Sequence, residues 1–224
     1  MARELGMITC AEMVRAFLDG RKTQTRRLIK PQPNWEERNG LKAAGWSWRT
    51  KKVQLSSCTA EFLSKEIGKE SRYQVGDHLY AKETWAPHKD FDHISPKTLG
   101  IGLIEYAADG RESRPIVRWR SSRFMFKKHA RIWRQVTEVK DPHRIQDISE
   151  EDVKAEGVRP CYKMDSFSGW HYIEVCGEER EDDVRWLGPW IVLWDRLHDK
   201  PGERWADNPW VFPYVLRIQE KPNE

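Results

Sequence analysis

Met13, Val14, Phe17 and Leu18 recur at helical spacing and predict a helix over about 10–19. Thr9 and Glu12 stand as a capping box at its start, and Gly20 supplies its stop. From Gly76 the period changes to two. Leu79, Ala81, Glu83 and Trp85 alternate with His78, Tyr80, Lys82 and Thr84, which predicts a strand. Glu83 then shares the apolar face, where a carboxylate needs a partner or a task. A salt bridge to an arginine of the basic segment near Arg21–Arg27 meets that need; direct chemistry is the alternative. Further strands are expected over 102–107, 115–119 and 130–140. A short helix is expected over 149–156, begun by Ser149 and ended by Gly157, with acids in its first turn. Pro189 fits the first turn of a third helix whose stripe is Trp190, Leu193, Trp194 and Leu197. The last strand alternates Trp210, Phe212, Tyr214, Leu216 and Ile218, and Pro213 within it argues for an edge position or a bulge.

Strands thus outnumber helices, the helices are short, and no regular βαβ alternation or glycine-rich phosphate loop is present. The pattern favours an α+β barrel over a nucleotide-binding parallel sheet. Residues 31–72, with the isolated pair Trp46 and Trp48, have weak periodicity and read as an insertion, partly strand and partly loop. Residues 160–183 read as a second, polar insertion ending in Glu178, Glu179, Glu181, Asp182 and Asp183, a solvated acidic cluster. No Pro/Gly/Ser linker cuts the chain, so 1–224 is expected to form a single domain.

The longest apolar runs fall far short of the ~20 residues that span a bilayer. The opening MARELGMITC has no signal core, so a cytoplasmic protein without a membrane partner is expected. Four cysteines with no CxxC pair are expected to stay reduced. Cys161, His171 and Cys176 lack a fourth ligand and compact spacing, and His88 and His93 flank Asp90 and Asp92 in a loop, so no metal or other cofactor is expected. The net charge of +4 is modest but uneven. Over 111–134 there are nine Lys or Arg residues against one acid, Glu112, interleaved with Trp119, Phe124, Phe126 and Trp133. Cations attract phosphates and aromatic faces stack on bases, so this mixture suits RNA or single strands. The alternative is a solvated strand pair whose aromatics face the core.

Two clusters could carry chemistry. Lys22 and Thr25 stand beside Arg26 and Arg27, directly after the first helix. A hydroxyl becomes a nucleophile when a base takes its proton, and a lysine does so only when neutral. Residues three apart on a regular strand point to opposite faces, so Lys22 and Thr25 converge only if the segment bends. The alternative is a basic, exposed strand start. In the short helix, Glu150, Glu151 and Asp152 sit where the dipole welcomes acids and read as structural. Glu156 sits at the opposite pole, where the ionised carboxylate is disfavoured and a general acid is served; the alternative is an ordinary exposed Glu.

The stretch from Phe17 through Gly20-Arg21-Lys22-Thr23-Gln24-Thr25 to Arg26 resembles the G-x-K-T-x-T-x-R motif of the ASCH family in the PUA-like superfamily. Val75-Gly76-Asp77 resembles that family's turn into a barrel strand, and Asp147 to Gly157 its short helix. Lys82-Glu83-Thr84-Trp85 and Asn208-Pro209-Trp210 are similar to longer ASCH-like proteins of phages and prophages. The resemblance implies a PUA-like β-barrel with short flanking helices and two insertions. It also implies an amidohydrolase that removes the acetyl group from N4-acetylcytidine without a metal, with Lys22 as base, Thr25 as nucleophile and Glu156 as proton donor. Arg26, Arg27, Lys82, Glu83 and Trp85 become candidates for holding substrate or phosphate, and the partner is a modified nucleoside or RNA. A non-catalytic RNA-binding module and a ribonuclease are the rival readings.

Overall fold

The computed structural model describes residues 2–32, 45–48, 51–54, 68, 71–110, 118–162 and 184–221. The chain is α+β, and among the described residues the sheets are open, with no closed barrel. No helix of the described residues is long and apolar enough to cross a membrane. The chain divides into two compact units, one of Met1–Thr23, Val75–Glu138 and Leu216–Glu224, the other of Gln24–Gln74 and Val139–Val215.

In the first unit β1 (Glu4–Ile8) runs parallel to β5 (His78–Lys82), and β5 pairs antiparallel with β8 (Trp133–Val139), setting Leu79 opposite Arg134. The period-two expectation holds in burial: Leu79, Ala81, Glu83 and Trp85 are all buried. The strand itself breaks after Lys82 and resumes as β6 (Trp85–Pro87), antiparallel to β7 (Ile104–Tyr106). At the break the Glu83 N–H donates to Met125 Sδ at 3.2 Å in place of a strand partner. Trp85, Met125, Ala130 and Trp133 form the core cluster, with Tyr80, Ile104 and Tyr106 packed against it. Most of the strand expected over 115–119 lies outside the described residues.

Helix α1 (Ala11–Leu18) buries Met13, Val14, Ala16 and Phe17. Gly20 follows at φ +74°, a conformation that disfavours any side chain and ends the helix as expected. The start differs from expectation. Cys10 is the N-cap, without a side-chain cap. Thr9 lies one residue too early to cap: its N–H continues the β1 ladder to the Lys82 carbonyl at 3.0 Å, and its hydroxyl donates to the Met7 carbonyl at 3.0 Å.

In the second unit β2 (Gln24–Leu28) pairs antiparallel with β12 (Trp210–Gln219), setting Thr25 opposite Tyr214 and Arg27 opposite Phe212. β9 (His143–Arg144) pairs with the start of β12. Pro213 therefore does not mark an edge. The Trp210 carbonyl accepts from Ile29 on the β2 side, whereas the Pro213 carbonyl accepts from Lys140 at 3.0 Å on the other. Alternation turns the proline nitrogen away from β2 as well, so that ladder loses no donor. Two hairpins, β3 (Gly45–Trp48) with β4 (Lys51–Gln54) and β10 (Cys161–Tyr162) with β11 (Val184–Arg185), fall within or next to the two expected insertions. The insertions otherwise lie largely outside the described residues.

Helix α2 (Glu150–Ala155) starts as expected, with Ser149 Oγ accepting from the Asp152 N–H at 3.2 Å, and ends at Glu156 with Gly157 at φ +83°. Helix α3 (Leu187–Leu197) buries Pro189, Trp190, Leu193 and Trp194, while Leu197 departs from the expected stripe and is exposed. With Val211, Phe212 and Tyr214 these make the second unit's core, each large side chain contributing about 1.5–3 kcal/mol.

Candidate functional site

Successive side chains of a strand alternate in direction. On β2, Gln24 and Arg26 share one face and both reach α2. Gln24 Nε2 donates to Asp152 Oδ1 at 2.9 Å, and Arg26 Nη2 donates to Asp152 Oδ2 at 2.5 Å. Arg26 Nη1 donates to Glu156 Oε1 at 3.1 Å. Asp152 and Glu156 are four residues apart and so are neighbours on one helix face, where two like charges repel. The guanidinium between them turns that repulsion into attraction. Lys140 Nζ adds a contact to Asp152 Oδ1 at 3.1 Å, and Arg26 Nε donates to His143 Nε2 at 3.4 Å. The Arg26 side chain has no exposure and that of Glu156 only 2%.

Burial holds His143 below the ordinary histidine range, and the Arg26 charge pushes the same way, which suits a ring nitrogen that accepts. For Asp152 burial opposes ionisation, but the hydrogen bonds from Gln24 and Lys140 and the charges of Arg26 and Lys140 outweigh it. Its carboxyl therefore lies below the usual aspartate range. A depressed carboxyl stabilises the fold above its unfolded pKa, about 3.9, and that contribution is lost as pH falls through the folded value. Asp152→Asn is thus expected to flatten the acid limb of a stability profile, read as urea midpoints from about pH 5 to pH 2. An acid limb identical to that of the parent would contradict this.

Thr25 and Arg27 alternate onto the other face of β2. Thr25 is buried, at 4% exposure, and its hydroxyl has no hydrogen-bond partner among the described residues. Its cross-strand neighbour is Tyr214, whose phenol lies 2.6 Å from Ser71 Oγ. The single Ser71 hydroxyl proton goes to the Tyr73 carbonyl at 2.9 Å, so Tyr214 is the donor to Ser71. Burial pushes the Tyr214 phenol up to about 12.

Lys22 belongs to the first unit, since the division between units falls inside the motif, after Thr23. It is buried, with Nζ 5.6 Å from the centre of the Phe17 ring, which Arg134 also faces at 4.8 Å. In the same unit Glu83 finds the partner its position demanded, but that partner is Arg131, not an arginine of the 21–27 segment. Arg131 donates to both Glu83 oxygens at 2.9 Å and also holds Asp109. Burial pushes the Glu83 carboxyl up, against the pull of Arg131.

Three expected ligand contacts are therefore corrected. Arg26 is not open to phosphate, because its guanidinium is buried and spent on Asp152 and Glu156. Glu83 and Trp85 are part of the first unit's core, at 1% and 0% exposure. Lys82 Nζ is held on the Arg123 carbonyl at 2.6 Å, and Arg27 is half-buried. The residues that sequence reasoning missed are Gln24, Lys140, His143 and Asp152. Asp152 was legible only as a helix-start acid, since Gln24 and Arg26 lie more than a hundred residues away along the chain. Among the described residues no group of three or more His, Cys, Asp or Glu side chains is arranged to hold a metal ion. No protein-family model, no curated protein and no solved structure matches this chain.

Proposed function

We propose that this chain is a PUA-like, ASCH-type hydrolase that removes the acyl group from N4-acetylcytidine or a closely related modified nucleoside. The observation that carries the reading is the pairing, on one strand, of a buried threonine whose hydroxyl has no hydrogen-bond partner among the described residues and a buried arginine clamped to Glu156. A hydroxyl without a hydrogen-bonding neighbour among the described residues is available to a substrate carbonyl, and Arg26 fixes where Glu156 stands.

Thr25 Oγ attacks the acetyl carbonyl carbon while its proton passes to Lys22 Nζ. Only the neutral amine can take that proton. The C–N bond then breaks as Glu156, in its protonated form and with Oε1 still accepting from Arg26, gives its Oε2 proton to the exocyclic nitrogen, which leaves as the amine of cytidine. Water then hydrolyses the Thr25 ester, one water proton going to Glu156 and the Lys22 proton returning to the Thr25 oxygen, so that acetate leaves and the three groups are restored. Strand alternation directs Thr25 away from the Arg26–Glu156 pair. The carbon that Thr25 attacks and the nitrogen that Glu156 protonates are bonded to each other, so the reading requires the two side chains to meet on one side of β2 when the substrate binds.

The test is release of cytidine from N4-acetylcytidine by the purified chain, followed by chromatography with and without chelator. Turnover is expected in both, lost in Lys22→Ala. Glu156→Gln is expected to lower kcat by about 10²-fold or more and to change KM little, as a proton donor requires. A KM effect with kcat preserved would overturn the donor role, and undiminished turnover in Lys22→Ala would overturn the base.

A further inference from the structure

The basic, aromatic run of the first unit can be sorted residue by residue. From Arg118 to Arg134 there are seven Lys or Arg residues and no Asp or Glu. Three have carboxylate partners: Arg120 on Asp92, Lys127 on Glu4, and Arg131 on Glu83 and Asp109. Arg134 is buried against the Phe17 and Trp133 carbonyls. The other three have no carboxylate partner among the described residues. Lys128 Nζ is held by the Lys97 and Leu99 carbonyls, which anchor the side chain without cancelling its charge. Arg118 and Arg123 are exposed, and their side chains make no hydrogen bond or ion pair with the described residues. Lys82, outside the run, adds a fourth such cation through its bond to the Arg123 carbonyl.

The aromatics separate as sharply. Trp133 is in the core, whereas Phe124 is 69% exposed and Phe126 40%. Met125 between them is buried, and its backbone is extended, at φ −70° and ψ 130°. Across an extended residue the two neighbours point to the same side. With Met125 turned inward, both phenylalanines face out, with backbones about 6.6 Å apart at 3.3 Å per residue.

This ledge is fixed in place. The Phe124 N–H donates to the Ser121 carbonyl at 3.0 Å, Met125 Sδ takes the Glu83 N–H, and the Phe126 carbonyl takes the His129 N–H at 3.0 Å. The Phe126 ring stands edge-on to His129, which in turn stacks on Trp85. A rigid aromatic contact loses little entropy when it is covered.

We infer that the Phe124–Phe126 ledge, with Arg118, Arg123, Lys128 and Lys82, is a docking surface for single-stranded nucleic acid. Two outward rings at alternate positions offer faces to successive bases, and cations without carboxylate partners among the described residues attract the phosphates between them. An acidic protein segment would satisfy the charges but leave the ring faces without flat partners. A duplex hides its base faces. This inference does not rest on the hydrolase reading.

The test is fluorescence anisotropy of the full chain with labelled single-stranded RNA and DNA oligonucleotides and a duplex of the same sequence, over a salt series. Single strands are expected to bind more tightly than the duplex. The double variant Phe124→Ala with Phe126→Ala is expected to weaken single-strand binding by about tenfold or more, with its salt dependence kept. Arg118→Gln with Arg123→Gln is expected to lower the slope of log affinity against log salt by about 1.4, at about 0.7 per phosphate on a single strand. All four positions are exposed, so an unchanged thermal unfolding midpoint serves as the folding control. Absence of single-strand binding by the parent chain, equal binding of the duplex, or full affinity in the double phenylalanine variant overturns the inference. The outcome is separable from the catalytic one. Thr25→Ala should bind strands normally, and the phenylalanine variant should still hydrolyse the free nucleoside.

Discussion

Thr25→Ala is expected to lower kcat for N4-acetylcytidine hydrolysis by about 10³-fold or more, while Thr25→Ser retains measurable turnover. Removing the nucleophile of a covalent mechanism leaves only binding and positioning, which accounts for the size of the effect. The same substitution should cost little stability. The hydroxyl has no hydrogen-bond partner among the described residues, so the loss is that of a buried methyl group, about 1 kcal/mol. The two readouts therefore separate: activity falls by orders of magnitude while the urea midpoint hardly moves. Wild-type kcat in Thr25→Ala would remove the nucleophile from the scheme.

Arg26→Ala should do the reverse, with its largest effect on stability. Its fully buried guanidinium is shared by Asp152 and Glu156, with His143 on its Nε. Deleting it leaves two carboxylates four residues apart on one helix, one of them buried, without the cation between them. Breaking a buried pair from one side costs about 3–5 kcal/mol, read as a lowered urea or guanidinium midpoint. Restoring balance with Asp152→Asn and Glu156→Gln in the Arg26→Ala background should recover part of that loss, because the charges that Arg26 balanced go with the carboxylates. A midpoint unchanged in Arg26→Ala would show that the network does not hold α2 to β2.

Local pattern was legible in this sequence and long-range pairing was not. The stops at Gly20 and Gly157, the Ser149 cap and the burial alternation from Leu79 to Trp85 each depend on neighbours within a few residues. The errors arise where a distant strand competes for the same group. Thr9 was drawn into the β1 ladder by Lys82, and Pro213 was tolerated inside a paired strand because its nitrogen faces away from β2. At the site, the sequence marked Thr25 and Glu156 as unusual but read Arg26 as a phosphate ligand, since nothing near it announced Asp152. The division into two units was equally hidden. Three of its four boundaries fall within β8, within β12 and inside the Lys22–Thr25 motif, and the fourth lies between Gln74 and Val75, so none is a Pro/Gly/Ser linker.

For the proposed hydrolysis, a hydroxyl on β2 and a carboxyl at the end of α2 must serve one acylated cytosine. A crystal structure with a non-hydrolysable N4-acylcytidine analogue tests this most directly. The predicted result is a carbonyl carbon about 3–3.5 Å from Thr25 Oγ, with the exocyclic nitrogen in hydrogen-bond reach of Glu156. An analogue bound away from Thr25, or one that meets Thr25 while Glu156 stays across the sheet from it, would contradict the mechanism.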